Sequence, residues 1–295
     1  MARPARAFGI APPDFELPDA THVGGVRLQV SDLGRSLAYY EQVIGLRVIG
    51  AGASITMGAP GDDGALVTLE TSAGVRPTPR GAFGLYHFAI LLPDRAALGR
   101  FAAHLARFRV RVGEADHLVS ESFYLWDPDG LGIEVYADRP RTLWRQNGPE
   151  LVMTTDPLDV ESVIAAGDGT AWDGMPPGTT MGHVHLSVGS LEAAERFYHR
   201  GLGFDKTVWS YPGALFLAAG GYHHHLGTNT WSPGPPPFAE QAQLLEWELI
   251  VPSSDHVARA ARSLASAGYT SEQAADGVRA ADPWGTRVHV RTSAR

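Results

Sequence analysis

Residues 26–46 read VRLQVSDLGRSLAYYEQVIGL, and residues 184–204 read VHLSVGSLEAAERFYHRGLGF. The second copy stands 158 positions after the first, so Leu28, Val30, Leu33, Tyr40 and Gly45 meet Leu186, Val188, Leu191, Tyr198 and Gly203. Each copy opens with the apolar alternation of a half-buried strand and then shifts to the spacing of an amphipathic helix. The glycine closes the helix, where a left-handed residue is favoured. Self-similarity at a fixed distance decides the architecture before any single element does.

A weaker pair has the same order of elements. Tyr86-His-Phe-Ala-Ile-Leu-Leu-Pro93 matches Leu245-Glu-Trp-Glu-Leu-Ile-Val-Pro252, and each is followed by an Ala/Leu-rich stretch, near 95–107 and 255–267, that predicts a helix. A hairpin then carries Asp127-Pro or Asp282-Pro. The chain thus reads as α+β, with four tandem βαβββ modules at about 20–77, 84–140, 180–232 and 243–293. Residues 1–140 hold two modules, 141–179 form a Pro- and Gly-containing linker, and 180–295 hold the other two. One module alone would expose a face of its sheet, so modules must pair, each pair forming a half-barrel around a cleft.

This arrangement resembles the vicinal oxygen chelate superfamily, which includes glyoxalase I, bleomycin-resistance proteins and type I extradiol dioxygenases. The resemblance covers nearly the whole chain.

Composition bounds the chemistry. With 44% hydrophobic and 19% charged residues, the 295-residue chain has the make-up of a soluble globular protein. A formal net charge of −8 and the lack of a basic run argue against nucleic-acid binding. No window approaches the roughly 20 apolar residues of a membrane span. The N-terminus, Met-Ala-Arg-Pro-Ala-Arg, lacks the apolar core of a signal peptide, so a cytoplasmic location is expected. With no cysteine, any metal must be held by His, Asp or Glu, and the chain has 12 His.

The ligands follow from strand alternation. In the third module Val184, Leu186 and Val188 take the helix side, which leaves His183 and His185 facing the cleft. The same register in the second module puts His87 at the position of His183. Glu134 lies on that module's last strand, between core-facing Ile133 and Val135. His183, His87 and Glu134 then form a two-His, one-carboxylate set whose open positions suit Fe(II) and oxygen. The first and fourth modules have Gly25 and Glu246 at the His183 position, so one complete site is expected. Glu246 and His289 are the nearest approach to ligands there.

The run from His117 to Glu134 closely resembles the signature of type I extradiol dioxygenases: a His, an apolar residue and Tyr, Asp-Pro, then Gly and the metal-binding Glu. Ala115, two before the His, departs slightly from the pattern. The resemblance gives Glu134 the metal, Tyr124 a contact to substrate oxygen and His117 a place in the pocket wall. It also implies an acid–base His just after a Gly-Gly hairpin. Alternation through Gly220-Gly221-Tyr222-His223-His224-His225 makes His223 the first choice and His225 the second. The runs GLYHFAILLPDR, DPDGLGIEVYADRPR and GGYHHHLGTNTW are similar to bacterial catechol 2,3-dioxygenases.

In the better-known two-domain members the ligands come from modules three and four, whereas here they come from two and three. Modules two and three must therefore pair across the connector, and one with four. The expected activity is Fe(II)-dependent extradiol cleavage of a small aromatic diol by O2, with Mn(II) as the other metal to consider. A homo-oligomer is compatible with the sequence. Two other classes are a glyoxalase-like Ni or Zn isomerase, which wants a fourth protein ligand, and a metal-free ligand-sequestering protein of the bleomycin-resistance kind.

Overall fold

A computed structural model describes residues 7–79, 81–232 and 234–293; the N-terminal run read above, residues 1–6, lies outside them. The first module comprises β1 (His22–Gln29), α1 (Leu33–Tyr39), β2 (Arg47–Ala51), β3 (Ile55–Gly58) and β4 (Val67–Glu70). The second comprises β5 (Gly84–Leu91), α2 (Arg95–Phe108), β6 (Gly113–Asp116), β7 (Ser120–Trp126) and β8 (Gly132–Asp138). A short ladder of β9 (Gln146–Asn147) and β10 (Glu150–Leu151) follows, then α3 (Val160–Ala166). The third module has β11 (Thr180–Ser187), α4 (Leu191–Ala194), β12 (Asp205–Val208), β13 (Ala214–Ala218) and β14 (Leu226–Asn229). The fourth has β15 (Gln243–Val251), α5 (Ser254–Ser266), β16 (Ser271–Ala274), β17 (Gly277–Ala281) and β18 (Arg287–Thr292).

The repeat is chemical as well as topological. Side chains of Asp32, Asp94 and Ser190 accept from the amides of Arg35, Ala97 and Ala193, each capping the first helix of its module. In the first and third modules the helix widens into a π-turn, over Tyr40–Ile44 and Glu195–Gly201. Gly45 and Gly203 then take φ of 90° and 97°, the left-handed geometry expected of them.

Two eight-stranded sheets result, with strand orders β16-β17-β18-β15-β1-β4-β3-β2 and β12-β13-β14-β11-β5-β8-β7-β6. The pairing across the connector is therefore present. Module two joins module three through the antiparallel β5–β11 ladder, and module one joins module four through β1–β15. One apolar core runs between the sheets and their helices, with Leu28, Phe88, Val184 and Trp247 all buried in it.

The segment between modules two and three is more than a tether. Its helix α3 packs so closely on α2 that a Cβ on Gly99 would lie 2.3 Å from the carbonyl oxygen of Val163. Arg95 clamps the contact, donating to Ser162 and to Glu121. Among the described residues no helix is long and apolar enough to cross a membrane.

Candidate metal centre and its cavity

Parallel pairing of β5 with β8 sets Ala89 beside Glu134, which brings Glu134 diagonally against His87. Across the module boundary, β5 and β11 pair His87 with His185, and the ladder shifts register between Met181 and His183 and again after His185. Such bulges twist a strand and re-aim its side chains, and here they swing His183 towards Glu134. Gly182 permits the approach: a Cβ there would overlap the Tyr136 hydroxyl.

Three donor atoms meet as a result. Glu134 Oε2 lies 3.0 Å from His87 Nε2 and 3.1 Å from His183 Nε2. The other carboxylate oxygen accepts from Ser122 Oγ at 2.6 Å, which fixes the plane of the group. All three residues are buried. His183 Nε2 hydrogen-bonds to Oε2, whereas His87 Nε2, although equally near, has no hydrogen bond of acceptable direction, so its proximity is not explained by hydrogen bonding. Metal bonds of about 2.1 Å at right angles place neighbouring donors about 3.0 Å apart, which these separations match. The set fits a divalent ion, and it is the only such cluster among the described residues.

The electrostatics suit that fit. Burial pushes His183 down to about 4, leaving the imidazole neutral and its lone pair available. Burial alone would raise the Glu134 carboxyl, but His183 and His87 outweigh it and hold the group well below the usual range. Neutral imidazole and ionised carboxylate are the forms that ligate.

The centre opens on a cavity of about 450 Å³. His117 and Tyr124 line it as a pair. His117 Nε2 stands 2.6 Å from the Tyr124 hydroxyl, and His117 Nδ1 stands 2.6 Å from the carbonyl oxygen of Thr154. A carbonyl only accepts, so Nδ1 carries the hydrogen, and a neutral imidazole then receives the phenolic hydrogen at Nε2. Burial, followed by the Glu134 charge, pushes the Tyr124 phenol well above its ordinary value. Its hydrogen stays on.

The three consecutive histidines are placed differently from the expectation. His224 lines the cavity; His223 and His225 do not. Alternation misplaced them because β14 begins only at Leu226, and residues 219–225 are irregular. His223 is fully buried, with Nε2 2.9 Å from Asp138 Oδ1 and Nδ1 2.6 Å from His224 Nδ1. Donation to Asp138 leaves His223 Nδ1 as the acceptor from His224 Nδ1–H, so His224 keeps a bare Nε2. Burial, then the neighbouring histidines, pushes His224 well below its ordinary value. His225 accepts from the Ala219 amide at 3.1 Å and is held inside the hairpin.

The Glyoxalase/Bleomycin resistance protein/Dioxygenase superfamily model matches residues 21–135 and 180–290. The chain belongs to that superfamily. Within it, the chain is 40% identical over 269 residues to the catechol-2,3-dioxygenase of Bacillus subtilis (strain 168), covering 89% of this chain and 94% of the relative. The enzyme class expected from the sequence is the one that relative carries. Two solved superfamily-like structures share the fold. A "putative dioxygenase" of Bacillus subtilis subsp. subtilis str. 168 has a TM-score of 0.67 at 14% identity, covering 95% of this chain and 87% of its own. Glyoxalase I of Zea mays has a TM-score of 0.56 at 17% identity, covering 92% of each chain.

The superfamily's internal symmetry offers a second such position, in the other sheet. There Glu246 replaces His87, Gly25 replaces His183, and His289, paired with Glu248, stands where Glu134 pairs with Ala89. Arg279, opposite His289, occupies the place of Tyr124. Its guanidinium lies 2.6 Å from Glu246 Oε2, so a tethered cation neutralises this carboxylate. His289 turns its Nε2 towards Asp276 at 3.1 Å.

Sequence reasoning missed other cavity residues: His224, Met153, Thr154, Thr155, Tyr211, Phe216 and Trp231. Most lie in connections without periodicity, and only the aromatic character of Tyr211 and Trp231 within Pro- and Gly-containing loops could have signalled them.

Proposed function

We propose that this protein is an Fe(II)-dependent extradiol dioxygenase that cleaves a catechol with O2 to a muconic-semialdehyde-type product, with Mn(II) as the alternative metal. One observation carries the reading: the donor set stops at three residues, His87, His183 and Glu134, and borders an open cavity. A three-residue set leaves room for both diol oxygens and dioxygen, whereas a glyoxalase-like isomerase would want a fourth protein donor. The 40% identical catechol-2,3-dioxygenase supports the same choice.

When bound, the metal would supply Lewis acidity towards the diol and an electron path between the diol and dioxygen. The protein's own groups do the rest. His224, with its bare Nε2 towards the cavity, takes the diol proton and returns it as the ring opens. The roles that sequence alternation offered to His223 and His225 become supporting ones. His223, anchored by Asp138, sets the tautomer of His224, and His225 braces the turn. Tyr124, its hydrogen committed to His117, accepts a hydrogen bond from the substrate side. His117 is oriented by Thr154 and holds the pair in register.

The test is anaerobic loading with Fe(II), then addition of a catechol and air. Oxygen uptake with a yellow ring-fission product is expected. Absence of both with catechol and with alkyl- and halocatechols overturns the reading.

A further inference from the structure

Much of the cavity wall is aromatic or apolar. Tyr86, Trp126, Met153, Tyr211, Phe216 and Trp231 line it. Tyr86 meets Trp231 nearly edge-on at 5.5 Å, and Tyr211 meets Phe216 likewise at 5.7 Å. The polar ends of this wall are tied back to the protein. Trp231 Nε1 donates to the Pro212 carbonyl at 3.0 Å, and the Tyr211 hydroxyl stands 2.8 Å from Thr155 Oγ1. Those two residues are left to offer the cavity their ring surface.

Three of these aromatics are exposed without a cover: Tyr86 by 42%, Trp126 by 53% and Trp231 by 45%. Scattered exposed aromatics need no explanation, but a cluster at the mouth of a cavity marks an apolar binding surface. The cavity also exceeds what a bare diol ring fills. At about 450 Å³ it falls in the range of sites that take drug-sized ligands.

The charges near the cavity point the same way. Among the described residues no Lys or Arg lines it, while Glu134 and the exposed Glu114 do. Three arginines of the same half of the molecule are committed elsewhere. Arg95 and Arg139 bind Glu121, Arg139 also binds Asp116, and Arg141 lies over the rings of Trp144 and Tyr222. A carboxylate on the substrate ring lying against this wall would lose its water and gain no side-chain counter-ion.

We propose that the site selects catechols carrying an uncharged apolar substituent, alkyl or aryl, and rejects carboxylated catechols, the substituent lying against the Tyr86–Tyr211–Phe216–Trp231 wall. This rests on the reading of the site as a catechol site. The test is anaerobic calorimetric titration of the metal-loaded protein at pH 7.5 with catechol, 4-tert-butylcatechol and 3,4-dihydroxyphenylacetate. Each buried methylene contributes about 0.8 kcal/mol and 1.4 kcal/mol is tenfold. The butyl compound should therefore bind at least about tenfold more tightly than catechol, and the carboxylate at least about tenfold more weakly. Trp231→Ala should shrink the butyl-to-catechol ratio. A carboxylate that binds as well as the butyl compound overturns the selectivity and leaves the catechol reading standing. If none of the three binds, the catechol reading itself falls and takes the selectivity with it.

Discussion

Tyr198 donates its phenolic hydrogen to Asp282 Oδ2 at 2.9 Å, and one repeat earlier Tyr40 stands 3.3 Å from Asp127 Oδ2. Each aspartate spends its other oxygen on two backbone amides of its own turn: Trp284 and Thr286 in one case, Asp129 and Leu131 in the other. The tyrosine that identifies the repeat thus rivets its π-turn to the hairpin of the next module. These rivets join modules one to two and three to four, whereas the sheets pair one with four and two with three. Neither sheet stands alone.

Tyr198→Phe should therefore cost about 1–3 kcal/mol, the loss of a buried hydrogen bond to a carboxylate. Urea unfolding checks this, and one transition monitored by both tryptophan fluorescence and circular dichroism is expected. A variant as stable as the parent would make the contact incidental.

Glu134→Gln should abolish binding of iron while leaving the fold in place. Its side chain keeps the shape and an acceptor for Ser122, but gives up the charge that a divalent ion needs. The measurement is iron content after anaerobic loading and dialysis, with the melting curve as control. Normal iron content would remove Glu134 from the centre.

Substitution of the three histidines should separate their roles. His224→Gln is expected to lower kcat by about 10²- to 10⁴-fold, the usual reach of a general base, with iron content unchanged. His223→Gln should cause a smaller loss together with a shifted pH–rate profile, because the tautomer of His224 is no longer imposed. Equal loss from His223→Gln and none from His224→Gln would return the role to His223.

Acid stability provides a fourth check. Burial pushes His225 down to about 3 from an ordinary 6.5. Between those values the unfolded chain binds a proton that the folded one does not, so stability rises with pH and falls as pH is lowered through the window. The urea midpoint should drop between pH 7 and pH 4. His225→Asn, which retains an acceptor for the Ala219 amide, should make that drop smaller. An unchanged slope would exclude His225 as a contributor.

What could be read in the sequence was whatever has a period. The repeat pointed to the modules, and strand alternation singled out His87, His183 and Glu134, although the bulges that aim His183 at Glu134 have no period to read. The same rule misassigned His223 and His225, since the chain between Ala219 and His225 is not a strand. His117, Tyr124 and His185 were legible as lining, but the rest of the wall was not, for a related reason: Met153, Tyr211 and Trp231 stand in connections whose course is set by tertiary contacts. Segment 141–179 read as a linker from its prolines and glycines, yet α3 and the Thr154 carbonyl act on the packed structure. In the other sheet Glu246 and His289 were legible as near-ligands. That Arg279 fills the gap depends on a register visible only once β17 and β18 are paired.

The crossed pairing of modules also sets a timetable for synthesis. β5 leaves the ribosome long before its partner β11, and β1 waits for β15, more than two hundred residues later. Until then β1 and β5 each have an open edge, and distant strand pairing is slow because the loop must close first. The three candidate ligands have all emerged once residue 183 has, but the sheet behind them is not complete. The nascent chain can thus bring its three donors together before it owns a finished fold, so early metal capture would favour the β5–β11 register over its rivals.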